Sequence, residues 1–304
     1  MNVLMERLTV RQVREYLAGN SAILVPIGSN EQHGYHLPLC TDTLIARELC
    51  RQVGERTGTL VAPAISFTFS GGGLPGTINV SPAVMSLLVQ DVLGSLALQG
   101  FRRFYLVLAH GGSENLTALG DALKILLRSN PLFAQALIAL FPVWKFDASG
   151  TGWRRAFAEG DWHAGWLETS LMLALAPELV RMQELELDPP DLLELQIRHP
   201  DNYQRAEKIV DDPLVVPRLT QRPDIRVGVM GHPERAGREL GASLVESMVA
   251  EMAARLQSIQ ERAQGGYQEV AFSPPPIIIQ EESEPSPLGP KSARAPSGDM
   301  GGGG

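Results

Sequence analysis

Short apolar runs alternate with longer segments of helical period along this chain. "AILVPIG" (22–28), "TLVAPAISF" (59–67), "RFYLVLA" (103–109) and "ALIALFPVW" (136–144) have the length and composition of buried strands. Residues 41–58 carry a helical pattern, with Thr41 or Asp42 as N-cap and Gly58 as stop. Ser81 and Pro82 open a second helix that ends near Gly100, Ser as cap and Pro at the first helical position. Helices are also predicted over 115–129, 167–177 and 235–262, with a late short strand at "IRVGVMG" (225–231). Strands alternating with helices predict an α/β fold: a three-layer sandwich with a mostly parallel central sheet and helices on both faces. In such sheets ligands sit beyond the carboxyl ends of the strands.

From about residue 272 the pattern stops. The segment 272–304 is rich in Pro and Gly and is expected to be a disordered tail behind a domain of residues 1–271. The alternative is that "IIIQ" docks on the body or on a neighbouring subunit. A net charge of -8 leaves no basic surplus for phosphates, so nucleic acid is not an expected partner. Cys40 and Cys50 are the two cysteines, too few for a disulfide framework and suited to a reducing cytoplasm. The amphipathic start lacks the apolar core of a signal peptide, and no run reaches the roughly 18 apolar residues of a membrane span.

The chemistry gathers where strands end. "EQHGYHLPLCTD" (31–42) puts Glu31, His33, His36 and Asp42 directly behind the first strand. Glu31 and His33 point the same way on extended backbone, and Asp42 opens the next helix. Carboxylate plus imidazole is a ligand set for Zn²⁺ or Mn²⁺. "AHGGSENL" follows the third strand with His110, two glycines that let the backbone turn, and Glu114-Asn115. "GDWHAGWLETS" supplies His163 and Glu168. Each residue has a plainer role: Asp42 as a cap, Glu31 in solvent, His36 packed or exposed, Glu114 on a helix dipole, Asp161 capping. Their joint placement at one sheet edge favours chemistry. The glycine loop 71–73 lacks the pattern of a nucleotide loop; it is either a plain connection or a means of bringing backbone N–H groups to a substrate.

"EQHGYHLPLCTDTLIA", "GGGLPGTINV", "HGGSEN" and "HAGWLETSLMLALAPELV" together resemble the creatininase (creatinine amidohydrolase) family, with a weaker echo in "GVMGHPERAGRELG". The resemblance implies a two-metal amidohydrolase holding Zn and/or Mn. It places Glu31, His33, Asp42 and His110 on metal ligands, Asp42 as the bridge. Glu168 is the preferred fifth ligand and Glu114 the alternative, because "HGGSEN" carries extra residues between His and Glu. His163 falls on the catalytic histidine. Ser70, Gly72, Trp144 and Trp162 fall around the substrate. Leu108-Ala109, Leu74 and Trp162 depart from the common family pattern, which leaves the substrate open. The implied reaction is hydrolysis of a non-peptide C–N bond in a small cyclic amide, creatinine being one candidate. A formamide deformylase, a peptidase, or an inactive scaffold relative are the alternatives. The family resemblance also implies a homo-oligomer, a hexamer.

Overall fold

The computed structural model describes residues 2–263 and 265–271. The chain divides at Gly266, and beyond it only residues 267–271 are described. The expected tail at 272–304 lies outside the described residues.

Four strands build the central sheet: β1 (Ala22–Ile27), β2 (Leu60–Val61), β3 (Arg103–Leu108) and β4 (Leu137–Pro142). All pair in parallel, in the order β2-β1-β3-β4. β1 is buried at every position, as expected of a strand covered on both faces. Successive residues serve opposite layers. Ala22 and Leu24 join Tyr105, Val107 and Phe141 on one side; Ile23, Val25 and Ile27 join Phe104, Leu106 and Leu108 on the other.

Helices cover both faces. α2 (Thr41–Thr57), α5 (Trp153–Ala158), α6 (Trp166–Leu175) and α8 (Arg238–Arg262) pack on the first face through Leu49, Trp153, Leu171, Val249 and their neighbours. α1 (Val10–Leu17), α3 (Pro82–Gln99) and α4 (Ser113–Ser129) pack on the second through Tyr16, Met85, Leu93 and Leu123. Each such fully buried aliphatic side chain contributes about 1.5–3 kcal/mol relative to exposure. The helix signals act as local chemistry requires. Ser81 Oγ accepts from Val84 N, and Gly58 closes α2 in the left-handed region at φ 67°.

Several expectations are corrected. The N-cap of α2 is Cys40, not Thr41 or Asp42; Thr41 donates to the Pro38 carbonyl and Asp42 turns inward. The apolar run 59–67 pairs continuously only at Leu60–Val61, with one further bridge from Ile65 to Ile27. Pro63, which has no N–H to give a ladder, lies between them. The late strand at 225–231 is a single bridge between Met230 and His163. α7 (Pro190–Arg198) and an antiparallel pair, β5 (Gln204–Glu207) with β6 (Arg218–Gln221), stand between α6 and residue 225, where no element was expected. Among the described residues, α3 alone is long and apolar enough to cross a membrane. It lays Met85, Val89, Leu93 and Leu96 on the sheet and leaves Val84, Leu87 and Leu98 exposed.

Candidate active site

The strand order decides where the site forms. The chain runs outward from β1 to β2 through α2, then returns through α3 to β3 on β1's other side. β1 and β3 are therefore neighbours whose connections leave in opposite directions, which opens a crevice beyond their carboxyl ends. Glu31 and His33 follow β1 and His110 follows β3. Asp42 lies in the first turn of α2 and Glu168 in the first turn of α6.

The geometry pairs these groups around Asp42. Its Oδ1 lies 3.2 Å from His33 Nε2, and its Oδ2 lies 3.2 Å from His110 Nδ1. Glu31 Oε2 is 3.0 Å from the same His110 nitrogen, and Glu168 Oε2 is 3.7 Å from His33 Nε2. Three groups of possible ligand atoms lie within 4.8 Å of one another: two nests that share Asp42, one with Glu31 and His110 and one with His33 and Glu168, and a third group of Glu31, His33 and His163. The far side of each imidazole is tied to backbone. His33 Nδ1–H donates to the Glu31 carbonyl at 3.0 Å, and His110 Nε2–H donates to the Phe69 carbonyl at 3.1 Å. Such bonds set the tautomer and aim the other nitrogen at the centre. His33 Nε2 and Glu31 Oε2 are buried there, ion-paired at 3.2 and 3.0 Å but without a well-aligned hydrogen bond. Buried polar atoms left in this way are costly, and a cation would satisfy them. The donor set fits divalent metal.

Within the cluster the carboxylates and imidazoles shift one another's pKa values. Burial works against charge on His33, but the Asp42 carboxylate beside it carries its pKa up to about 10. His110 is also held well above the usual imidazole range, the carboxylates of Glu31 and Asp42 outweighing burial. Glu31 falls to about 2, burial being overcome by His163 and His110. Asp42 is lowered for the same reason by His33 and His110. Burial dominates at Glu168 and raises it to about 7. His163, buried and facing His33, drops to about 4 and stays neutral.

His163 packs its ring on His33 at 4.2 Å between centroids. Its Nε2 is 2.7 Å from the Gln32 carbonyl and 3.1 Å from Gln32 Nε2. The shorter contact makes Nε2–H the donor to that carbonyl, so Nδ1 carries the lone pair. Gln32 Nε2–H then donates to the Gly228 carbonyl at 3.1 Å. The next residue, Ala164, is the one non-glycine with positive φ among the described residues, at 52°. Its N–H donates to Glu168 Oε2 at 2.6 Å, so the same carboxylate that faces His33 holds this turn. Such a backbone costs on the order of 1–2 kcal/mol and persists only where its surroundings impose it.

Three supports carry more than the sequence suggested. Asp161 was weighed only as a cap; its carboxylate accepts from Trp166 N and Leu167 N at 2.9 and 3.1 Å and also from His232 N at 2.8 Å. Asp188 accepts from three successive amides, Arg226, Val227 and Gly228. Asn115 clamps Phe69 with both ends of its amide, which fixes the carbonyl that orients His110. Nothing in the local pattern marks Asp188, whose partners lie some forty positions away.

The remaining candidates are placed as follows. Glu114 is exposed at the start of α4 and stands outside the two nests. His36 is fully buried and its Nε2 pairs with Thr169 Oγ1 at 3.0 Å. Ser70 Oγ accepts from Gly72 N at 3.0 Å. The amides of Ser70 and Gly71 both go to Asn79 Oδ1, and that of Gly73 to Gln221 Oε1. The glycine loop therefore spends its N–H groups on its own fold, a correction to the idea that they face a substrate. Trp144 is half-buried against the core. Trp162 stacks on Phe157 and donates its indole N–H to the Ile197 carbonyl.

Comparison with known proteins meets this geometry from outside. The creatininase family model, described as creatinine amidohydrolase, matches residues 6–256. A creatinine amidohydrolase of Pseudomonas putida is 34% identical over 187 residues, 57% of this chain and 71% of that protein. A mycofactocin precursor peptide peptidase of Mycobacterium ulcerans is 30% identical over 249 residues, 76% of this chain and 84% of that one. A solved structure of "Creatininase Mn" superposes with a TM-score of 0.68 at 26% identity, covering 87% of this chain and 100% of that one.

Proposed function

Because this chain belongs to the creatininase family, we propose that it is a two-metal amidohydrolase that uses water to cleave a non-peptide C–N bond in a small cyclic amide of the creatinine type. The observation that carries the reading is the division of Asp42 between two nests, one oxygen toward His33 and the other toward His110. Glu31, Asp42 and His110 would hold one ion, and His33, Asp42 and Glu168 the other; Zn²⁺ and Mn²⁺ both suit imidazole and carboxylate. Bound there, the ions supply a water acidified toward neutrality and a Lewis acid for the carbonyl. His163 does the proton work. Its Nε2–H is committed to the Gln32 carbonyl, so Nδ1 accepts a proton and delivers it to the leaving nitrogen.

The reading places catalysis in residues 1–271 of a cytoplasmic homo-oligomer, hexameric as the family resemblance implies. The two unpaired cysteines and the apolar face of α3 support it. A second reading, cleavage of a C–N bond in a peptide, draws support from the match to the peptidase across most of that protein's length.

Elemental analysis of protein purified without added metal tests the proposal, beside a His33→Ala/Asp42→Ala double variant. About two equivalents of Zn or Mn, lost in the variant, are expected. No bound metal, with no hydrolysis of creatinine or of a peptide amide after Zn²⁺ or Mn²⁺ is added, would overturn it.

A further inference from the structure

We propose that Asp188 is a positioning residue for the reaction: through the strap of residues 226–232 it sets the placement of Gln32 and His163. The proposal rests on the reading of His163 as the proton carrier.

The strap is irregular backbone, and its hydrogen bonds account for how it is held. At one end the buried Asp188 carboxylate takes three consecutive N–H groups, Oδ1 from Arg226 and Val227 at 2.8 and 3.1 Å, Oδ2 from Gly228 at 2.8 Å. Hydrogen bonds to an ionised acceptor are roughly twice as strong as neutral ones. At the other end Asp161 takes His232 N. Between these two clamps the strap does two things. The Gly228 carbonyl accepts from Gln32 Nε2 at 3.1 Å. Met230 exchanges both backbone bonds with His163, N to O at 2.9 Å and O from N at 3.1 Å, and its carbonyl also takes Trp162 N.

Gly228 leaves no slack in this path. Its φ of +75° suits glycine, and a Cβ there would come within 2.6 Å of Gln32 Nε2. The Val227 and Val229 side chains are buried and anchor the strap to the core. Asp188 thus reaches His163 through the strap's backbone and the Gln32 amide, not by direct contact. The plainer role, a carboxylate that merely secures a loop, would lower stability and leave the imidazole as it is.

Asp188→Asn separates the two. One oxygen becomes an NH₂ that must face an amide N–H, whichever way the side chain turns. The full chain would be loaded with Zn²⁺ and the His163 ring followed by ¹⁵N–¹H NMR, its signals assigned by their loss in His163→Asn. We expect the Nε2–H signature of the wild type to shift or broaden. With creatinine as the probe, kcat per bound metal should fall about 10–100-fold at little changed KM. Asp191→Asn, at an exposed position on α7, should change neither. Asp188→Glu keeps the charge but moves the carboxylate away from the three amides and should reproduce the NMR change; it carries the test if Asp188→Asn does not fold. An unmoved His163 signal in both variants, with kcat per metal unchanged, would overturn the proposal. A moved signal supports it even if the wild type hydrolyses no amide, an outcome that would count against the proposed function alone.

Discussion

Asp42 meets His33 at 3.2 Å, Oδ1 to Nε2, and that pairing turns its second oxygen toward His110. One carboxylate therefore belongs to both nests; Glu168 joins only the nest of His33, while Glu31 joins that of His110 and also groups with His33 and His163. Asp42→Ala should lose both ions, and Glu31→Gln only the one beside His110. Activity in each should fall by more than the ~10–100-fold typical of groups that only support ligands. Metal stoichiometry of the two variants checks this. Equal loss in both would show that the nests do not load separately.

Metal binding should release protons. In the metal-free protein His33 titrates at about 10 and His110 well above the usual range, because Asp42 and Glu31 outweigh burial. Both imidazoles are thus protonated at pH 7, and Glu168 at about 7 is partly so. A ligand must be neutral imidazole or carboxylate, so loading both nests at pH 7 should expel roughly two protons or more. Affinity should therefore weaken as pH falls. Calorimetry in buffers of different ionisation enthalpy measures the release; a value near zero would contradict this charge arrangement.

Gly165 and Gly231 press on the Asp161 carboxylate so closely that a Cβ at either would collide with it. Gly165→Ala should push Asp161 off the amides of Trp166 and Leu167 and so loosen the helix turn that presents Glu168. A loss of about 2–4 kcal/mol is expected, from a displaced buried carboxylate and its broken bonds. Denaturant unfolding checks the magnitude, and metal content should drop with it.

Asp147 supplies a pH-dependent contribution outside the candidate metal nests. Burial raises its pKa, but bonds from Arg154 N and Gly152 N and from Ser149 Oγ prevail and lower it. A carboxylate lowered on folding stabilises above its unfolded pKa of about 3.9 and stops doing so as pH falls through the folded value. Asp147→Asn should lower the Tm at pH 7, and the gap should close only below about pH 4. A gap that stays constant down to pH 3 would show that the carboxylate's charge does not matter.

Much of this protein is legible in its sequence, for local reasons. Apolar runs located β1, β3 and β4, and Ser81, Pro82, Gly58 and Gly100 marked helix ends, because those signals act within a few residues. The motifs around Glu31, His33, Asp42 and His110 could be read for the same reason: each sits at the exit of a strand or the start of a helix. Other features were decided only by tertiary structure. β5 and β6 carry sequences such as "QRAE", which show no apolar period. The strand expected at 225–231 became a strap because buried Asp188 and Asp161 take its N–H groups in place of a ladder. Both Glu168 and Glu114 open helices behind a histidine, and the sequence preferred Glu168 only through the spacing of "HGGSEN" in the family resemblance. Packing of α6 brings Glu168 to within 3.7 Å of His33, while Glu114 stays exposed on α4. The sequence by itself determined the strands and helices of the central sheet layers and which ligand types stand at their ends. The order β2-β1-β3-β4, which places the ends of β1 and β3 side by side, came from packing two apolar layers on one sheet. Where long-range contacts converge is set by burial and strand order, and neither is written in neighbouring residues.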